Sequence, residues 1–302
     1  MIGGPRCLIR SRTIVAVALL ATAGIVCAVP AGAQQPSGCQ ARGELVRLPD
    51  VPEASGLTVS RSVSGRLWTH NDSGQPVLFA LDDQGKVTGQ LHIAGAKAED
   101  WEAVVSGPCG TNSCLYIGDI GDNNAKRDHI TVYRVREPEG HATSSAQAEA
   151  FHAMYPDGAQ DAETLLVAPD GRLHIATKGS TGPIALYRFP SNLQTESTMR
   201  LERLAVATKE KGDGSSNITD GAVSPDGQWA VLRSRDALTF FRASDLFAGR
   251  WQSTVRIELA ALKEPQGEGV AFGRNNTIFV AGESGGNGKG GSFARFSCVP
   301  PN

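Results

Sequence analysis

The chain has 302 residues, with 29 basic and 31 acidic side chains and a formal net charge of −2. That balance argues against nucleic acid or an anionic membrane surface as the partner. The length suits one large domain behind a short leader.

The leader comes first. Arg6, Arg10 and Arg12 precede an apolar run, Ile14–Val29, and no acid occurs before residue 34. Ala31-Gly32-Ala33 then supplies the small-x-small pattern of a signal-peptidase site, so 1–33 is expected to be a cleavable signal peptide and 34–302 the mature domain. The rival, an uncleaved anchor, would need about 20 apolar residues; this run is shorter and meets Pro30. No later stretch is long and apolar enough for stable membrane insertion. The expected location is therefore outside the cytoplasm, secreted or in the cell envelope. The four remaining cysteines, Cys39, Cys109, Cys114 and Cys298, are expected to form disulfides there.

The mature part lacks long helical periodicity. Short apolar runs alternate with Gly, Asp, Asn and Pro, which predicts many short strands. Stacked, they form a repeat. The first strand of each unit is Ser55–Val59, Glu102–Ser106, Glu163–Val167, Asp220–Ser224 and Glu268–Phe272. A hairpin turn follows each, then a second strand: Leu67–Thr69, Leu115–Ile117, Leu173–Ile175, Trp229–Val231 and Ile278–Val280. Third strands are Val77–Ala80, Thr131–Arg134, Ala185–Arg188, Leu238–Arg242 and Gly291–Arg295. Four units gain a more polar fourth strand, at Val87–Ile93, Ala148–Met154, Met199–Ala205 and Thr254–Leu259. The fifth runs out of chain, and its missing strand is expected at Gly43–Leu48.

A ring of four-stranded units is an all-β propeller. The prediction is five blades, closed by the N-terminal strand; six blades is the alternative, with an extra strand pair hidden between Glu102 and Glu163. Ring closure predicts a Cys39–Cys298 bond in place of the absent turn between strands three and four of the last blade. Cys109–Cys114 is expected to clasp a hairpin.

Stacking the first strands also stacks acids. Glu102, Glu163, Asp220 and Glu268 lead four of them, with Ser55 in the fifth and Asp220 uncertain by one residue. Asp100 and Asp161 stand two residues earlier, and Asp72, Asp119, Asp122 and Glu283 follow the second strands on the same face. These carboxylates converge on one mouth of the channel. Their repulsion must be offset by a cation, raised pKa values or hydrogen bonds. Oxygen donors of this kind suit Ca²⁺, so Glu102, Glu163, Asp220, Glu268, Asp100 and Asp161 are candidate ligands. Asp119 and Asp122, in Gly118–Asn124, are candidates for a separate loop site. The competing reading makes each acid a cap on backbone N–H groups. Gly282–Gly286 matches GxSxG, but the Gly-rich run after it cannot start the helix a nucleophile elbow needs.

Asp100–Ala103, Leu115–Asn124 and Ile218–Gly227 resemble segments of secreted bacterial propeller proteins near the phytase-like and SdiA-regulated propellers. The resemblance implies a propeller with calcium or another cation at the channel mouth, and phosphoesterase chemistry only weakly. A phosphate site would need cations beside the acids; Lys126, Arg127 and Lys178 are the candidates. The expected function is a monomeric binding module for a small molecule or extracellular protein. A metal-dependent hydrolase of phosphate esters or glycosides is the alternative.

Overall fold

A computed structural model describes residues 38–180, 182–207, 217–286 and 290–299. The expected leader, 1–33, lies outside the described residues. The chain is an all-β, five-bladed propeller of four-stranded antiparallel blades. Blade 1 comprises Ala54–Val59, Leu67–Asn71, Val77–Leu81 and Val87–His92. Blade 2 comprises Trp101–Cys109, Asn112–Asp119, Ile130–Arg136 and Glu149–Met154. Ala162–Val167, Leu173–Thr177, Ala185–Arg188 and Glu202–Val206 make blade 3. Ile218–Val223, Trp229–Ser234, Ala237–Arg242 and Ser253–Glu258 make blade 4. Blade 5 has Gln266–Phe272, Thr277–Glu283 and Gly291–Val299.

Burial explains the pattern. Inner strands are packed on both faces and read as continuous apolar runs; Leu173–Thr177 is buried at every position. The outermost strands keep one wet face and alternate, as Ser253–Glu258 does. The apolar side chains gather into five clusters, one between each pair of neighbouring blades. Every blade therefore buries both faces only when the ring is complete. The inner strands approach closely around the channel. A Cβ at Gly56 would stand 2.5 Å from Val104 N, so glycine there is a packing requirement.

Two sequence expectations need correction. Met199–Ala205 is not one strand. Met199–Arg200 pairs in parallel with Glu149–Met154 as a fifth strand of blade 2, and only Glu202–Val206 completes blade 3. The buried side chains of Met199 and Leu201 join the core between those two blades, which anchors the crossing segment. The closing strand also comes in two pieces, Gly38–Ala41 and Val46–Leu48, both paired with Gly291–Val299. Gly43, at φ 93°, breaks the run between them. Cys39 therefore lies inside the closing strand, directly opposite Cys298, rather than ahead of it.

Both expected disulfides are present. Cys39–Cys298 joins positions 259 residues apart, with Cα atoms 4.0 Å apart. In the chain-entropy account, closing so long a loop contributes about 5 kcal/mol. Cys109–Cys114 clasps the first hairpin of blade 2. Among the described residues, no helix is long and apolar enough to cross a membrane.

One buried carboxylate fastens blade 1 to blade 2 on the hairpin side. Glu137, 1% exposed, accepts from Trp68 Nε1 at 3.0 Å, Ser113 Oγ at 2.6 Å, Ser106 Oγ at 3.0 Å and Arg61 N at 3.2 Å. Glu137→Ala strands these donors. It should cost roughly 3–5 kcal/mol of stability, measured by denaturant unfolding.

Candidate functional site

All five inner strands carry a register irregularity at the same place, between Ala54 and Leu57, Trp101 and Ala103, Ala162 and Thr164, Ile218 and Asp220, and Gly267 and Val270. A bulge adds a residue on one strand and re-aims its side chain. The structurally equivalent bulge residues are Ser55, Glu102, Glu163, Thr219 and Glu268. Thr219, not Asp220, therefore completes the ring. Its hydroxyl donates to the Glu268 carbonyl of the next blade at 3.0 Å, as Ser55 Oγ donates to the Glu102 carbonyl at 3.1 Å. The one-residue doubt in the sequence alignment resolves in favour of the hydroxyl.

The geometry sorts the eight predicted acids into two groups. Asp220 lies one step deeper and caps backbone, accepting from Val270 N at 2.8 Å and Leu57 N at 3.4 Å. Asp161 accepts from Asp122 N at 3.0 Å and Ser180 Oγ at 2.9 Å. Asp119 takes Arg127 Nη1 at 2.8 Å and the N–H groups of Asp100 and Glu99. Asp122 accepts from Arg127 N at 2.7 Å. The Gly118–Asn124 loop is thus held by its own side chains and by Arg127.

Glu102, Glu163, Glu268 and Asp100 form the second group. Among the described residues, none of them caps a backbone N–H through its carboxylate. Glu102 Oε2 accepts from Ser55 Oγ at 3.1 Å. Glu163 pairs with the Lys178 ammonium, which also lies 4.0 Å from Asp161 Oδ2. Gly121 leaves room for two carboxylates at once: a Cβ there would collide with Asp100 and stand 2.9 Å from Glu102 Oε1. Above this buried ring sits a wetter rim of Glu53, Asp72, Asp100 and Glu283. Asp72 Oδ1 is shielded from water and has no hydrogen-bond partner among the described residues.

The protonation equilibria follow from this shortage of partners. Burial, then the Glu163 and Asp100 charges, pushes the Glu102 pKa well above the usual range. Burial and Glu268 do the same to Glu163, against the pull of Lys178. Burial raises Glu268, opposed by Gln266 and Arg233. On the rim, burial with Asp72 and Asp161 lifts Asp100 to about 6, and burial with Glu268 lifts Glu283 to about 7. Burial works against the Lys178 ammonium, yet Glu163 beside it holds its pKa above the ordinary lysine value.

Lys178 is the main feature that the sequence reading misjudged. It follows the second strand of blade 3 at the place where Asp72 follows that of blade 1, and it supplies from the chain itself part of the positive charge expected from a metal. Arg127 is paired with Asp119 and Glu99, and Lys178 with Glu163. A second cation, Arg233, is fully buried between blades 4 and 5; it pairs with Glu264 and donates to the Ala281 carbonyl at 2.8 Å. Among the described residues, no three His, Cys, Asp or Glu side chains stand together in an arrangement able to hold a metal.

No protein-family model matches the chain, and no curated protein matches it. Solved structures do. The PQQ-bound aldose sugar dehydrogenase of Streptomyces coelicolor aligns at 9% identity and TM-score 0.56, covering 87% of this chain and 98% of that one. Hydrazine synthase of Kuenenia stuttgartiensis aligns at 17% identity and TM-score 0.39, over 78% of this chain and 57% of its own. Regucalcin of Agrobacterium tumefaciens, a calcium-binding protein, gives 13% identity and TM-score 0.42, over 84% and 95%. The chain thus spans little more than half of the hydrazine synthase chain. At these identities the likeness is one of fold, the β-propeller.

The pKa shifts set a pH profile. A carboxyl whose folded pKa is raised contributes stability that is fully present below its unfolded pKa and is lost as pH rises through the folded value. His70 and His174 act in the opposite sense: burial lowers both to about 4, so their contribution is present above pH 6.5 and is lost as pH falls. Asp100 should lose its contribution between about pH 4 and 6 and Glu283 between about pH 4.5 and 7, a window in which the two histidines act in the opposite sense. Asp100→Asn with Glu283→Gln should remove that loss, so the melting temperature of the double variant should gain on the parent as pH rises from 4 to 7, read by melting curves across pH 4–9.

Proposed function

We propose that this protein is an exported binding propeller whose acidic mouth receives a positively charged ligand. The observation that carries the reading is the unpartnered Asp72 Oδ1, set on the rim above Glu102, Glu163 and Glu268. A cation there would lower the cost of ionising the ring and supply what Asp72 lacks. Two disulfides support a home outside the reducing cytoplasm. Ca²⁺ is one such ligand, an oxygen-seeking ion that would compete with Lys178 for Glu163 and bind by rearranging the mouth. An ammonium or guanidinium group of a small molecule or protein partner is another. Lys178→Met vacates the internal cation, so Ca²⁺ should raise the melting temperature of this variant more than that of the parent. A ligand at a hundredfold excess over its Kd stabilises by about 2.7 kcal/mol. At pH 5, where Asp100 and Glu283 are protonated, the response should shrink. Melting curves in Ca²⁺ and in chelator, indistinguishable for both proteins at pH 8, would contradict a cation-binding mouth.

A second reading is favoured by one observation, the crowding of Asp100 and Glu102 against Gly121 with both pKa values raised. A protonated carboxylic acid beside a second carboxylate is the equipment of glycoside or phosphoester hydrolysis. A panel of glycoside and phosphoester substrates, with and without Ca²⁺, tests this. Turnover abolished by Glu102→Gln would make the mouth an active site, whereas the binding reading predicts no turnover.

A further inference from the structure

On the face opposite the acidic mouth, between blades 4 and 5, lies a cavity of about 800 Å³. Its rim is formed by two first hairpins, Ser224–Trp229 and Gly273–Ile278, and its edge reaches Cys298 of the ring-closing disulfide. The volume falls within the range of small-molecule sites, roughly 300–1,000 Å³. Its chemistry is the reverse of the mouth. Two guanidinium groups line it, Arg242 and Arg274, and among the described residues neither has a carboxylate partner.

This lack of a carboxylate sets Arg242 apart from Arg136, which stands at the matching place of blade 2, opposite Cys114, and pairs with Glu139 at 3.1 Å. Arg242 lies over the ring of its cross-strand partner Trp229, with Cζ 4.0 Å from the ring centroid. The stacking fixes the plane of the guanidinium while leaving its N–H groups unpaired with any carboxylate, a preorganised donor fork. The one acid in the lining, Asp226, is occupied within its own turn, accepting from Ser224 Oγ at 2.5 Å and Gln228 N at 3.0 Å. Phe272 and Ile278 add an apolar wall, and the Asn275 and Asn276 side chains add amides.

We infer that this cavity binds a small organic acid, a carboxylate carried on a six-membered ring. Arg242 and Arg274 would take the carboxylate through charge-assisted hydrogen bonds. The ring would lie on the Phe272–Ile278 wall, with the amides reaching its substituents. An aromatic acid and a sugar acid present the same charge and differ in the ring, so both serve as probes.

The experiment is calorimetric titration of the mature protein with benzoate and glucuronate, against the neutral analogues benzamide and glucose. At least one acid should bind, at least tenfold tighter than its neutral partner, and binding should weaken with added salt. Binding of benzoate alone assigns an aromatic acid; binding of glucuronate alone assigns a sugar acid. Arg274 is exposed on its hairpin, so Arg274→Ala should fold normally and weaken the acid by roughly tenfold or more. Arg256→Ala, which removes an equal charge from the outer strand of blade 4, should leave the affinity unchanged. The assignment is overturned if neither acid binds, if the neutral analogue binds as tightly, or if Arg274→Ala binds like the parent.

Discussion

A carboxylate taken out of water needs a donor or a counter-charge, and among the described residues of this channel mouth the ring glutamates find few of either. That imbalance organises the site. Four of the predicted acids are satisfied by backbone, by hydroxyl or by Arg127, and they act as fasteners between neighbouring blades and loops. Asp161 joins blade 3 to the loop of blade 2, and Asp220 reaches from blade 4 to the inner strands of blades 5 and 1. The others, above all the ring glutamates at the bulges, meet one ammonium and one another. Burial first, and one another's charges next, raise their pKa values, and the orphaned oxygen of Asp72 marks a polar group without a partner at the rim among the described residues.

The five-fold architecture makes this arrangement stable. Because each apolar cluster lies between two blades, no blade is complete without its neighbours, and the ring must be closed to exclude water. The Cys39–Cys298 bond secures the one junction that lacks chain continuity. Closure also separates two chemistries. Inner strands start at the acidic mouth and end at the hairpin face, where blade 4 and blade 5 leave two guanidiniums around a cavity. On the proposed readings, ligands of opposite charge would meet opposite ends of one molecule.

Much of the fold was legible because the repeat is written in strand chemistry. The apolar runs, the Pro-Asp-Gly and Asn-Asn turns and the aromatic-Arg endings recur at matching places, and cysteines near the two ends pointed to closure. Met199–Ala205 was misread because its apolar residues continue across two sheets; nothing local marks the change of partner at Leu201. The candidate site was legible as an inventory of acids and less so as a geometry. A bulge shifts register by one residue, and no pattern of residue types distinguishes Thr219 from Asp220 as the re-aimed side chain. Lys178 carried a readable signal, its place directly after a second strand, where blade 1 has Asp72. Glu137 carried none, since its donors come from segments up to 76 residues away.

The central claim is that the bulge glutamates keep their protons above the ordinary carboxylate range in the free protein. Carboxyl ¹³C NMR on glutamate-labelled mature protein, titrated from pH 3 to 9 with Glu102→Gln, Glu163→Gln and Glu268→Gln for assignment, measures this directly. The account predicts Glu102 and Glu163 titrating well above the ordinary range of about 4.3 and Glu268 above it, and a downward shift when Ca²⁺ or an organic cation is added. All three titrating near the ordinary value, unchanged by added cation, would contradict it.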